Sequence, residues 1–247
     1  MDFSPIPPMT MHVDINSCFA TVEQQANPHL RGRPVAVAAY VKDYGCILAA
    51  SYEAKALGVK TGMRVSEGRM LAPRLVVLPP DPPKYRAVNK ALFTLLSSYT
   101  PYISIESIDE MALKMSNAKF PMLNIAKEIK QRIKQEIGEW ITVSIGIAPN
   151  RYLAKVASGL EKPDGLVTIT KDTIIETFGK MKLMDFCGIK QGNAGRLQAS
   201  GIGTPLDFFR ASSKDLKRAF HSIAGHQWWL RLHGYEDGVM YKEFDDE

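Results

Sequence analysis

The 247-residue chain carries 45% apolar and 23% charged residues, an ordinary globular mix that excludes a disordered or fibrous chain and has room for one large domain or two to three small ones. Its net charge of +5 is unevenly placed: from Gly234 onward six acids (Glu236, Asp237, Glu243, Asp245, Asp246 and Glu247) face one base, Lys242, leaving residues 1–233 at +10 and an acidic tail over 236–247. A body that basic favours an anionic partner such as nucleic acid, while no apolar run reaches membrane-spanning length and no signal-like stretch opens the chain.

Cys18, Cys46 and Cys187 lie far apart, and neither they nor His221, His226 and His233 have metal-ligand spacing. They read as reduced thiols and ordinary histidines of a soluble, cytoplasmic protein; no membrane contact is expected, and a monomer is taken as the default, since nothing in the sequence reads out its oligomeric state.

In chain order, residues 11–15 read as a short buried strand, followed by a helix over 17–25 with Ser17 as its N-cap. Pro28, Gly32 and Pro34 break the pattern, and 34–39 and 45–50 are apolar runs between turn residues, hence strands. Short helices over 52–57 and 65–71 are separated by Gly58 and Gly62, and 75–78 is another strand. Pro79, Pro80, Pro82 and Pro83 then mark a boundary. An amphipathic helix over 84–98 turns Val88, Leu92, Leu95 and Leu96 inward, and strands over 102–105 and 110–113 flank a short connection at 106–109. Ile125, Ile129, Ile133 and Ile137 recur every four residues, giving a core-facing helix. A β-branched strand (141–147), a helix (152–160) and a last strand (166–169) follow, and beyond Lys171 only short helices remain.

The predicted class is α+β: a split βαβ (ferredoxin-like) sheet with helices on one face, a small α/β insertion over about 28–79, and an all-helical third lobe.

Two acidic features stand out by position. Asp14 interrupts the apolar strand His-Val-Asp-Ile, and Asp109 and Glu110 sit at the tight connection in Glu-Ser-Ile-Asp-Glu. If those strands are neighbours, three carboxylates meet at one sheet edge, where they raise one another's pKa unless a cation answers them. A hard, oxygen-seeking ion such as Mg²⁺ suits that set, and a pair of them suits in-line phosphoryl transfer. Taken singly, each acid reads as a solvated strand-end or turn carboxylate.

Val13-Asp14-Ile15-Asn16-Ser17-Cys18-Phe19-Ala20-Thr21-Val22-Glu23 resembles the first palm motif of Y-family (translesion) DNA polymerases, and Ser107-Ile108-Asp109-Glu110 matches their SIDE motif. Tyr52-Glu53-Ala54-Lys55 with Gly58-Val59-Lys60-Thr61-Gly62-Met63 resembles their fingers motif. Val143 to Ala148, Asn150 to Ser158 and Lys162-Pro163-Asp164-Gly165 resemble a further palm segment, so the likeness runs in order over about 12–203.

The resemblance implies template-directed DNA synthesis from deoxynucleoside triphosphates on primer–template DNA, with low fidelity and low processivity. It implies two Mg²⁺ ions, with Mn²⁺ an alternative, held by Asp14, the Ile15 carbonyl, Asp109 and Glu110. Asn16, Cys18, Tyr52, Lys55 and Lys162 would line the nucleotide site, with the amides that follow Asp14 at a helix N-terminus cradling phosphate. Phe19 would be the steric gate against ribonucleotides. The lobes become palm (1–27 and 80–168), fingers (28–79) and thumb (169–235). Without the resemblance, Tyr52 reads equally as a packed aromatic, Lys55 and Lys162 as solvated lysines, and Phe19 as core.

In the thumb, Cys187-Gly188-Ile189-Lys190 through Gly201-Ile202-Gly203 resembles a helix-hairpin-helix, which implies DNA-phosphate contacts at Gly188, Lys190 and Gly192. Residues 171–233 hold ten bases against five acids, in keeping with backbone binding. Several positions depart from the family pattern. Lys190 and Cys187 stand where Gly and Pro are usual, Asn16 where Asp is frequent, and Ala49 where a hydroxyl is common. Lys55 replaces an Arg fork with a point charge. Relatives continue into a little-finger domain that this sequence does not reach. Two rival readings are another palm-type enzyme, such as a nucleotide cyclase, and a non-catalytic DNA-binding subunit. The Tyr-Glu-Ala-Lys and Lys-Pro-Asp-Gly segments argue against the first, and the intact acids against the second.

Overall fold

The computed structural model describes residues 3–115 and 121–237. Strand β1 (Thr10–Ile15) leads into helix α1 (Cys18–Ala26). A small α/β unit follows: β2 (Val35–Ala38), β3 (Ile47–Ala50), α2 (Tyr52–Ala56), α3 (Val65–Leu71) and β4 (Val76–Leu78), its strands ordered β3-β2-β4. The chain then returns through α4 (Pro82–Ser97), β5 (Ile103–Ile105), β6 (Glu110–Lys114), α5 (Met122–Arg132), β7 (Val143–Ala148), α6 (Arg151–Leu160) and β8 (Leu166–Thr168). Helices α7 (Ile174–Gly179), α8 (Gln191–Ala199), α9 (Pro205–Arg210), α10 (Ser213–Phe220) and α11 (Ala224–Leu232) complete it. The class is α+β, as predicted.

The larger sheet runs β5-β6-β1-β7-β8. Its first four strands are antiparallel neighbours in the split βαβ order, and β8 adds in parallel to β7. Alternation along β1 explains the two faces. Met11, Val13 and Ile15 join a core with α4 and α5 residues such as Leu92, Leu96, Ile125 and Ile129, while His12 and Asp14 point the other way.

That second face is covered too, which corrects the expectation of helices on one face only. Helix α6 lies on it, with His12 Nδ1 3.0 Å from Ser158 Oγ. The close approach depends on Gly146 of β7, where an added Cβ would fall 2.0 Å from the Ala154 carbonyl oxygen and 2.4 Å from the Ser158 nitrogen. Both obstacles are helix backbone, which cannot swing aside. Gly146→Ala is therefore expected to cost at least the upper end of the roughly 1–3 kcal/mol typical of overpacking. Thermal melting checks it, and a variant that melts with the wild type would mean α6 does not sit that close.

Beyond α6 the core is continuous. Leu153, Ala154 and Ala157 share one apolar cluster with Phe178, Phe186, Phe208, Phe209 and Trp228 of the helical segment. Asn150 ties the ends together: its Oδ1 caps α6 at the Leu153 amide, and its Nδ2 donates to the carbonyls of Arg231 and Tyr235. Glu236 accepts from the Arg151 amide and Asp237 from Arg231, so these two acids belong to the folded body, whereas Glu243, Asp245, Asp246 and Glu247 lie outside the described residues.

Two local expectations also shift. Pro82 and Pro83 open α4 and are not a break before it, with Asp81 accepting from the Lys84 amide as N-cap, because the first helical positions have no use for an N–H. The isoleucine repeat ends in a π turn over Ile133–Ile137. A repeat of four overshoots the 3.6-residue turn by about 40° per step, and the wider turn keeps Ile137 against the core.

Candidate active site

Asp14 lies directly opposite Glu110 in the β1–β6 register and opposite Ser144 in the β1–β7 register. The Ile15 amide donates to the Asp109 carbonyl at 2.9 Å, so the sheet itself brings together Asp14, Ile15, Asp109 and Glu110. The connection carrying Asp109 is pinned from α4 by Asn89, whose Nδ2 donates to the Ile108 carbonyl at 2.9 Å. Ser107 Oγ donates to Asp109 Oδ1 at 2.6 Å.

Two lysines answer the acids. Lys162 Nζ is 2.6 Å from Asp14 Oδ2, and Lys155 Nζ is 2.7 Å from Glu110 Oε2. A third pair, Arg151 with Glu106 at 2.7 Å, continues the row along α6. Burial pushes the Asp14 carboxyl up from 3.8 to about 6, against the pull of Lys162 and with added repulsion from Glu110 and Asp109. Glu110 is also penalised by burial, but the hydrogen bond and charge of Lys155 outweigh it and hold the carboxyl below its usual range. Neighbouring acids are thus driven in opposite directions.

Asp14 and Lys162 stand where two clefts meet. One, of about 220 Å³, is lined by Asp14, Ile15, Cys18, Phe19, Asp109, Lys162 and, from the small α/β unit, Leu48, Ala49, Ala50, Lys55 and Thr61. The other, of about 840 Å³, runs from Asp14 and Glu110 past Lys155 and Lys162 to Lys180, Cys187 and Lys190. Phe19 forms part of the smaller cleft and is stacked on Tyr85, with ring centroids 4.3 Å apart and planes 12° apart. Tyr85 is itself fixed by donating to Glu23 Oε1 at 2.9 Å.

Ser17 is the N-cap residue of α1, as expected, but it takes a left-handed conformation (φ 51°, ψ 41°) and its side chain makes no capping bond. Its hydroxyl instead accepts from Lys55 Nζ at 2.7 Å across the cleft. Without a side-chain cap, the first amides of α1 keep their unpaired donors. Lys55 sits 4.6 Å from the centroid of the Tyr52 ring, and burial together with nearby Lys162 lowers its pKa.

Asn16 is not in the cleft. It is fully buried, its Nδ2 donating to Ser144 Oγ at 2.9 Å and its Oδ1 accepting from the Asp164 amide at 2.8 Å. These bonds tie Asn16 to β7 and to the turn that follows Lys162, so the side chain that the resemblance assigned to the nucleotide site is taken up within the fold. In the helical segment, Gly188 takes a left-handed φ of 87° beside the Trp228 ring, Lys190 precedes α8, and Gly192 lies exposed in its first turn. These three lie at the entry to α8, and of them Lys190 lines the larger cleft.

Lys155, Arg151, Asn89 and Tyr85 carry no sequence expectation. Arg151 and Lys155 had a signal, two bases four apart on a helix whose other face is apolar; Asn89 and Tyr85 act across long sequence distances and had none. The oxygens of Asp14, Asp109, Glu110 and the Ile15 carbonyl are of the kind a hard cation takes, although among the described residues no three acids stand grouped closely enough to hold one as they lie; burial, more than neighbouring charge, is what raises Asp14.

A sequence profile of the impB/mucB/samB family matches residues 13–159. DNA polymerase IV 1 of Bacillus subtilis (strain 168) is 39% identical over 239 residues, covering 96% of this chain and 56% of that protein. DNA polymerase IV of Bacteroides fragilis (strain YCH46) is 35% identical over 216 residues, covering 86% and 58%. The chain thus spans little more than half the length of these relatives. Among solved structures, an insertion ternary complex of Dbh DNA polymerase superposes with a TM-score of 0.83 at 29% identity, covering 94% of this chain and 69% of that one. DinB from Sulfolobus solfataricus gives 0.78 at 30% identity, covering 90% and 66%.

Proposed function

The chain belongs to the impB/mucB/samB family, the Y family of DNA polymerases, and from that footing we propose that it adds deoxynucleotides to a primer 3′ end under the direction of a template strand. Low fidelity and low processivity go with the reading. The observation that carries it is the pairing of Asp14 with Glu110 at the junction of two clefts of different size. The smaller cleft suits an incoming nucleotide, and the larger, lysine-lined one suits the phosphates of a primer strand. The proposed lobes are palm 1–27 and 80–168, fingers 28–79 and thumb 169–235.

Y-family polymerases are metal-dependent. Two Mg²⁺ ions, replaceable by Mn²⁺, are proposed at Asp14, Asp109, Glu110 and the Ile15 carbonyl, where they would activate the primer hydroxyl and neutralise the leaving pyrophosphate. Lys162, now spent on Asp14, would turn to the triphosphate from one side of the smaller cleft. Lys55 and Tyr52 would meet it from the other, and the free amides opening α1 would face its oxygens. Asn16 acts by fixing the Lys162 turn, Asn89 by fixing the Asp109 connection, and Lys155 by orienting Glu110. Phe19, braced on Tyr85, would stand under the sugar.

Primer extension by the purified chain, with and without Mg²⁺, tests the reading. Template-dependent extension that needs the ion is expected. Tight DNA binding with no extension in Mg²⁺ or Mn²⁺ would leave a non-catalytic DNA-binding protein in its place.

A further inference from the structure

We propose that Tyr40 and Tyr44, at the tip of the β2–β3 hairpin, stack the first unpaired bases of the template strand ahead of the primer end; this rests on the polymerase reading. The two rings are 64% and 65% exposed, lie 6.1 Å apart at 48° to one another, and belong to none of the three apolar cores.

The loop that carries them is held rigidly. The Gly45 amide donates to the Lys42 carbonyl, the Ala39 amide to Cys46, and the amides of Val65 and Ser66 donate from α3 to the carbonyls of Gly45 and Asp43. Gly45 packs so tightly that a Cβ there would fall 1.8 Å from the Tyr40 carbonyl oxygen. The aromatic surface is therefore presented ready-made, with little ordering left to do on binding.

Charge and position name the occupant. Asp43, the loop's acid, is taken up by Arg69 at 2.6 Å, which leaves Lys42 between the two rings in sequence. Two aromatic faces beside a lysine match the chemistry of single-stranded nucleic acid, with π-faces for bases and a cation for phosphate. Strand β3 continues from this loop straight into Leu48, Ala49 and Ala50 of the smaller cleft. Tyr44 is four residues from Leu48, at most about 13 Å if the chain were extended, which is within a few bases at about 3.4 Å per stacked base. A template base paired in the cleft would have its next neighbours at the hairpin tip.

The test uses the full chain and 2-aminopurine placed at successive unpaired template positions of a primer–template, beside a blunt duplex of the same paired length. Binding should quench the probe ahead of the primer end. Tyr40→Ala with Tyr44→Ala should abolish that quench and weaken binding of the overhung substrate about fivefold or more, leaving blunt-duplex affinity and melting temperature unchanged, while Tyr40→Phe with Tyr44→Phe should behave as wild type. Unchanged affinity and quench in the double-alanine protein, or equal losses on both substrates, would overturn the proposal. So would a change in self-association on sedimentation, which would assign the rings to a contact between copies. Wild-type protein that binds neither DNA would instead remove the polymerase reading on which the proposal stands.

Discussion

Asp14→Asn and Glu110→Gln are each expected to lower primer extension by about a thousandfold or more, since each removes a charge from the group proposed to hold the metals. Their effects on stability should differ in sign. Burial raises the Asp14 carboxyl from 3.8 to about 6, so the folded chain binds this proton more tightly than the unfolded one. Stability from this group is then present below about pH 4 and is lost as pH climbs through 6. Asparagine keeps the shape without the charge, so Asp14→Asn should melt above wild type at pH 8, by up to about 3 kcal/mol for a shift of two units, and level with it at pH 4. Glu110 runs the other way. Despite burial, Lys155 holds its carboxyl below the usual range, so its contribution is present above its unfolded value and lost as pH falls through the folded one. Glu110→Gln should therefore melt below wild type at pH 8. Melting curves of both variants from pH 4 to 8, beside extension assays, check the pair. Near wild-type extension by either would remove the acids from this role, and a lowered melting point for Asp14→Asn at pH 8 would mean that burial does not raise its carboxyl in the folded chain.

Much of the fold was written in periodicity. The runs at β1, β2 and β7 are visible because these strands are buried along their whole length and read as near-continuous apolar stretches, α4 because its apolar residues recur every three to four, and Asp14 because it breaks such a run. The second covered face of the larger sheet was less plain, though its traces were there. His12 and Asp14 alternate with Met11, Val13 and Ile15, and Gly146 interrupts a β-branched strand where a helix comes close. A polar residue facing a helix and a polar residue facing water look alike in a sequence. Asn16, which only the family resemblance assigned to the nucleotide site, bonds through its amide to Ser144 and Asp164, more than a hundred positions away. Contacts that distant leave no local pattern. Of the lysines that answer the acids, Lys162 stood out only through the family resemblance, and Lys155 had only the weak signal of its spacing from Arg151 on α6.

Phe19→Ala is expected to raise ribonucleotide incorporation selectively, by about a hundredfold relative to deoxynucleotides, with little change for the latter. The ring lies five residues after Asp14, in the first turn of α1, and lines the smaller cleft alongside Asp14 and Lys55. A flexible ring there would yield to an extra hydroxyl. This one is backed face to face by Tyr85 at 4.3 Å, and Tyr85 is held by Glu23, which also pairs with Lys84 at 2.6 Å. On the proposed role, a sugar with hydrogen at the 2′ carbon would fit above such a surface, whereas a hydroxyl would be both crowded and stripped of water without a partner. Phe19 also packs partly against the core beneath the sheet, and if that were its whole role truncation would cost roughly 3–5 kcal/mol and depress both activities together. The measurement that separates these is extension with each sugar beside the melting temperature of the variant. An unchanged ratio of ribose to deoxyribose use with a sharply lowered melting point would leave Phe19 a core residue. The same change in ratio from Tyr85→Ala, smaller and with Phe19 intact, would show that the stack behind the ring is what makes the surface unyielding.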